Sequence, residues 1–177
     1  MKILVVNLLR LGDIILVSRI PEGLKQKYPG AEVHMLINDT FAGVTELVPS
    51  VDRFHFFERD KLQKGLVDGS RPLFEPRDRL KKFIDSLRSE KFDVIVNLTH
   101  NCLSGWLSST LNAKDVVGLS YSERGRPVFG SPWIRYLNSQ MPSLKSEPFH
   151  YLDLFMYATG INLEGQRVKL LENEKSK

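Results

Sequence analysis

A chain of 177 residues, 42% hydrophobic and 26% charged, is long enough to bury the core of one globular domain. Its formal charge of +4 is small, it has no apolar run of the roughly 18 residues that a membrane span requires, and its lone Cys102 excludes an internal disulfide. The apolar opening MKILVVNLL has the look of a signal peptide. Arg10 and Asp13 interrupt it, however, and no small-residue cleavage site follows, so it reads as the buried first strand of a cytoplasmic protein. Residues 58–91 hold ten Lys/Arg against seven Asp/Glu, a balance that suits a solvated face or a surface drawn to anionic headgroups. No RNP-like, zinc-finger or aromatic-interleaved basic motif is present, so no nucleic-acid partner is expected.

Taken in order, residues 3–7 (ILVVN) form a continuous apolar run that suits a strand buried on both faces. Gly12-Asp13 breaks it. Leu16, Ile20, Leu24 and Tyr28 then recur every four residues on one helical face, with Pro21 predicting a kink or a late start, and Pro29-Gly30 ends the element. Val33 to Ile37 is a second strand, Asn38 to Thr40 a turn, Phe41 to Val48 a short helix, and Arg53 to Phe57 a third strand. Residues 58–76 carry Gly65, Gly69, Pro72 and Pro76 and read as an irregular or partly helical connection. Arg77 to Glu90 is a helix on the spacing of Leu80, Phe83, Ile84 and Leu87. Asp93 to Leu98 is a strand, Leu103 to Leu111 a helix, Asp115 to Leu119 a fifth strand, and residues 120–148 a long connection. Phe149 to Thr159 is a helix capped by Gly160, and a polar tail follows Leu171. Strands alternating with helices predict an α/β fold with a doubly wound parallel sheet.

In such a sheet ligands bind beyond the carboxyl ends of the strands. That rule gathers the loop from Leu8 to Asp13, Asn38 and Asp39, Thr99, His100 and Asn101, and the stretch from Ser120 through Arg124 and Arg126. The first loop lacks both G-x-G-x-x-G and the P-loop pattern, which argues against a dinucleotide site. No His/Cys/Asp/Glu group has metal-ligand spacing along the chain, and no G-x-S-x-G elbow occurs, so neither a metal nor a cofactor is expected. Asp13 can be read blandly as a helix N-cap, although Leu16 three residues later gives no capping box. Trp106 and Trp133 read as core or interdomain packing.

Leu11-Gly12-Asp13 after an MKILVV strand resembles the opening of glycosyltransferase family 9, the ADP-heptose:lipopolysaccharide heptosyltransferases. The likeness continues through Lys27-Tyr28-Pro29-Gly30-Ala31, Val51-Asp52-Arg53, the run from Lys91 to Leu98, and His150 to Ile161. Arg19 stands where that family usually has proline, and Asn97 where it often has an acid. The resemblance implies a Rossmann-like N-terminal half of a GT-B glycosyltransferase. Residues 1–170 would be the acceptor-side domain and 171–177 a polar tail or the start of an interdomain linker, with the donor-binding domain lying outside this sequence.

The implied reaction is inverting transfer of heptose from ADP-heptose to a lipopolysaccharide inner-core acceptor. Asp13 would be the catalytic base, and Arg10, Gly12, His100, Asn101, Arg124 and Arg126 would bind substrate. The partners would be a glycolipid acceptor and the nucleotide-sugar donor, with peripheral contact to the anionic inner membrane. His100 reads equally well as a structural histidine, and the two arginines as a solvated loop. A non-catalytic glycolipid-binding module and a flavodoxin-like nucleotide binder remain as alternatives.

Overall fold

A computed structural model describes residues 1–62, 74–140 and 149–162. Its centre is a five-stranded parallel sheet in the order β3-β2-β1-β4-β5. The strands are β1 (Lys2–Val6), β2 (Glu32–Asn38), β3 (Arg53–Phe57), β4 (Val94–Asn97) and β5 (Asp115–Val117). β1 is central, pairing Val5 with Met35 of β2 and with Val96 of β4. Its buried residues alternate between two cores, as the two-residue period of a strand requires. Ile3 and Val5 join Val33, Met35 and Ile37 on one face, while Leu4 and Val6 join Leu36 and Ile95 on the other.

The first face is covered by α1 (Leu11–Leu16), α2 (Ile20–Lys27), α5 (Pro132–Gln140) and α6 (Tyr151–Thr159), which supply Ile14, Ile20, Leu24, Ile134, Leu137, Leu154 and Phe155. The second is covered by α3 (Phe74–Ser89) and α4 (Cys102–Thr110) through Ile84, Leu87 and Leu107. The expected doubly wound α/β sheet is therefore what the chain forms.

The departures are local. The predicted helix from Ile14 to Tyr28 is two helices, with Pro21 in the first turn of the second, where its missing N–H costs no hydrogen bond. The short helix after β2 is a 3-10 helix, Asp39–Leu47. The fifth strand stops at Val117, and the expected long connection instead begins as an antiparallel hairpin, β6 (Leu119–Tyr121) with β7 (Pro127–Phe129), followed by α5. Three-residue strands are too short for alternation to reveal, and the Gly and Pro residues that read as a connection are the hairpin's turn and flanks. Gly160 ends α6 at φ 61°, the left-handed cap expected of it. Most of the 58–76 connection and the tail beyond Leu171 lie outside the described residues.

Candidate functional site

The carboxyl edge of the sheet is tied together by side chains at the strand ends. Thr99, just after β4, is fully buried, and its Oγ1 accepts the Leu8 N–H at 2.7 Å. Asn38, at the end of β2, donates Nδ2 to the Leu8 carbonyl at 2.9 Å. Asn7 Oδ1 accepts the Leu9 N–H at 3.1 Å. The loop that leads from β1 into α1 is thus held by the ends of β2 and β4 and by its own Asn7, which supply partners for its buried backbone groups. Sequence reading placed Asn38 and Thr99 on this edge but did not see that their work is to fix the loop.

β4 is braced from within. Asn97 is buried, donates Nδ2 to the Leu119 carbonyl at 2.8 Å and to Ser104 Oγ at 3.2 Å, and accepts the Thr99 N–H on Oδ1 at 3.0 Å. Only an amide can both donate and accept in this way, which accounts for Asn rather than an acid at this position. Gly118 lies against it at φ +127°, where a Cβ would run into the Asn97 carbonyl oxygen. That close approach turns the chain out of β5 and into the hairpin.

Asp13 is the third residue of α1, not the residue ahead of it; Arg10 takes the N-cap position. The Asp13 carboxylate reaches back so that Oδ2 accepts the Arg10 N–H at 3.1 Å. The sequence misplaced the helix start because Gly12 reads as a breaker, yet Leu11 and Gly12 already lie in the first turn. Asp13 is half-buried, and its other oxygen has no hydrogen-bond partner among the described residues. Near it stands Tyr151, the first residue of α6, whose hydroxyl donates to the Leu98 carbonyl at 2.6 Å. Burial, and then the Asp13 charge, push that hydroxyl well above the ordinary tyrosine range. Tyr151 therefore stays a neutral donor beside the carboxylate.

The other candidates divide. Gly12 is exposed, with open space where a Cβ would stand, and Arg10 is exposed beside it. His100 Nε2 lies 2.9 Å from Asn138 Oδ1, and its ring stacks on Phe129 with centroids 6.2 Å apart, so one ring nitrogen is already engaged by α5. Asn101 is the N-cap of α4, accepting the Ser104 N–H at 2.9 Å. Arg124 and Arg126 are exposed in the turn of the β6–β7 hairpin, with no ion pair among the described residues. Beside that turn runs an open groove of about 560 Å³, lined by Cys102, Trp106, Ser109, Tyr121, Ser122 and Glu123 among others. Trp106 is 42% and Trp133 36% exposed, so neither lies in the core of this domain, and Trp133 packs against Phe149 and Tyr157 with ring centroids 5.7 and 4.8 Å apart.

The sheet's amino end carries a cluster that spacing along the chain could not reveal. His34, His55 and Glu90 are brought together there from β2, β3 and the segment after α3. Among the described residues, no helix is long and apolar enough to cross a membrane.

No protein-family model matches the chain. Lipopolysaccharide heptosyltransferase 3 of Escherichia coli (strain K12) is 23% identical over 118 residues, which is 67% of this chain and 32% of that protein. Among solved structures, E. coli heptosyltransferase WaaC with ADP-2-deoxy-2-fluoro heptose matches with a TM-score of 0.64 at 17% identity, covering 95% of this chain and 51% of that one. A glycosyl transferase family 9 protein from Veillonella parvula matches with a TM-score of 0.65 at 18% identity, over 97% of this chain and 46% of that one. The structure of E. coli ADP-heptose lps heptosyltransferase II gives 0.58 at 16% identity, over 99% and 48%. The chain is therefore similar to heptosyltransferases in sequence, and its fold is the Rossmann-like fold found in their GT-B structures. It spans about a third of the curated relative's length and about half that of the solved ones.

Proposed function

We propose that this chain is the acceptor-side half of an inverting glycosyltransferase, transferring heptose from ADP-heptose to an inner-core lipopolysaccharide acceptor with Asp13 as general base. An acceptor hydroxyl attacks the anomeric carbon and its proton passes to Asp13. The new glycosidic bond forms as the bond to the diphosphate breaks, and ADP leaves with the electron pair. An alcohol is a poor nucleophile at neutral pH, so removal of its proton in the transition state is worth about 10²–10⁴-fold.

The observation that carries this reading is the Asp13 carboxylate. One oxygen is anchored on the Arg10 N–H, the other has no partner among the described residues, and the group lies at the edge where α/β sheets bind ligands. In this reading Tyr151 holds the carboxylate's surroundings in place. Arg10 faces the acceptor or the leaving diphosphate, and Arg124 and Arg126 meet acceptor phosphates by bidentate contacts. In this reading a donor-binding half supplies the contacts to the diphosphate, and transfer is expected when the two halves act together. Contact with an anionic membrane is electrostatic and peripheral.

The test is titration of the chain with a deacylated inner-core oligosaccharide, ADP and FMN, followed by amide chemical shifts. Shifts with the oligosaccharide in the Leu8–Asp13 loop are expected. Tight binding of FMN or ADP with no response to the oligosaccharide would replace this reading with that of a nucleotide-binding domain.

A further inference from the structure

At the amino end of the sheet, on the face covered by α3, three groups that bind metals converge from separate parts of the chain. His34 of β2 is fully buried. Its Nε2 lies 2.7 Å from Glu32 Oε1, and its Nδ1 lies 2.9 Å from His55 Nε2 of β3. Glu90, just past α3, completes the group, and one ligand atom from each of His34, His55 and Glu90 lies within 4.8 Å of the others. We propose that His34, His55 and Glu90 form a structural zinc site, binding Zn²⁺ through His34 Nδ1, His55 Nε2 and a Glu90 carboxylate oxygen.

The hydrogen bonds favour this ligand set. A carboxylate on His34 Nε2 fixes the proton there and leaves the Nδ1 lone pair aimed at His55. That is the arrangement in which a histidine ligand is oriented by an outer carboxylate. The proton now shared between His34 Nδ1 and His55 Nε2 occupies the line along which a metal would sit. When Zn²⁺ replaces it, His55 moves its proton to Nδ1 and presents a second lone pair. Zinc–ligand distances of about 2.0–2.2 Å in a tetrahedron put ligand atoms about 3.3 Å apart, so the two nitrogens must open by a few tenths of an ångström and the carboxylate must close in. Glu90 is oriented for this by Lys2 Nζ on Oε2 at 2.8 Å and Arg53 Nη1 on Oε1 at 2.6 Å. Phe92 stands edge-on to both imidazoles and shields one side. Two nitrogens and one oxygen select zinc over magnesium or calcium, and water takes the fourth position.

The role is structural because of where the cluster lies. His34 is four residues before Asn38 along β2, about 13 Å from the carboxyl edge at the usual strand rise, so the ion does not reach a substrate bound there. It ties the edge strand β3 and the end of α3 to β2. Lys2 and Arg53 bring positive charge close by, and the affinity expected is therefore micromolar rather than nanomolar.

The experiment uses the full 177-residue chain with Cys102→Ser throughout, so that the exposed thiol does not compete for metal. Zn²⁺ is titrated against a chromophoric chelator, and Co²⁺ serves as the spectroscopic probe. The expected results are one Zn²⁺ per chain, a Co²⁺ visible band of four-coordinate intensity, and a thermal midpoint raised by several degrees on saturation with Zn²⁺. His55→Gln and Glu90→Gln should each weaken binding at least tenfold and lose the thermal gain. Both are compared with the parent in chelator to confirm folding. No stoichiometric binding by the parent at tens of micromolar Zn²⁺ overturns the site, whatever the variants do. Unchanged affinity in a folded His55→Gln or Glu90→Gln protein overturns it as well.

Discussion

Replacing Asp13 with Asn separates a catalytic carboxylate from one that merely completes a helix start. The side chain accepts a single hydrogen bond, from the Arg10 N–H at 3.1 Å, and Asn can accept the same bond through its carbonyl oxygen. What the substitution removes from the folded chain is a charge in the first turn of a six-residue helix, worth about 0.3–1 kcal/mol. For a domain of this size that is a thermal shift of at most about 4 °C. The loss of a general base, by contrast, is about 10²-fold or more in turnover, equivalent to about 2.7 kcal/mol at 1.36 kcal/mol per decade. The chemical effect therefore exceeds the structural one by a margin that one pair of measurements can resolve. The assay is ADP release from ADP-heptose at saturating acceptor, in a protein that joins this chain to a donor-binding half, beside a thermal melt of the same variant. The deficit should fall on kcat and leave KM nearly unchanged, since the amide keeps the shape of the site. Turnover within threefold of the parent at an unmoved midpoint would reduce Asp13 to a helix-start residue and remove the proposed mechanism.

Three further outcomes are expected. Asn97→Asp replaces the Nδ2 donor to the Leu119 carbonyl with an oxygen, setting a buried carboxylate against an acceptor. Urea unfolding should show a loss of about 3 kcal/mol or more, and a loss below about 1 kcal/mol would contradict the role given to this amide. In chelator, stability should fall as the pH drops from the ordinary histidine value of 6.5 toward about 4, because burial, and then the neighbouring His34, hold His55 down to about 4. The unfolded chain binds that proton across this window and the folded chain does not, so acid favours unfolding. Glu32 and Glu90, whose pKa values are lowered by bonds to His34 and Lys2, lose their contributions only at the acid end of the window and below. His55→Gln should flatten the slope above about pH 5, and an unchanged slope there would assign the acid sensitivity elsewhere. Finally, the chain should leave anionic vesicles in about 0.5 M salt, where the Debye length is only a few ångströms. Salt-resistant binding to neutral vesicles would point to apolar insertion instead.

How much could be read from the sequence depended on how local the cause was. β1 and β2 were legible because a strand buried on both faces is an unbroken apolar run, and both lie in the middle of the sheet. α3 was legible from Leu80, Phe83, Ile84 and Leu87, one stripe facing one core. The hairpin after β5 was not, since its shape comes from a contact between distant residues. Position 118 must be glycine because its φ is positive and the Asn97 backbone, 21 positions earlier, leaves no room for a Cβ. Asp13 was placed on the correct edge but in the wrong helical position, an error of a few residues that matters because an N-cap side chain is occupied by its own helix, whereas the third residue's second oxygen is left open.

The same distinction governs the two ends of the sheet. At the carboxyl end the loop residues are adjacent in sequence, and a short motif sufficed to single them out. At the amino end His34, His55 and Glu90 are separated by 20 and 34 intervening residues, and each looks ordinary in its own strand or helix end. Only the register that sets His34 beside Arg53, and so brings His55 within reach, turns them into one group. Ligand spacing along a chain reveals metal sites built on a single loop or helix. A parallel sheet assembles its sites across crossover connections, so the ligands of such a site are spaced by the length of a βαβ unit and carry no local signature.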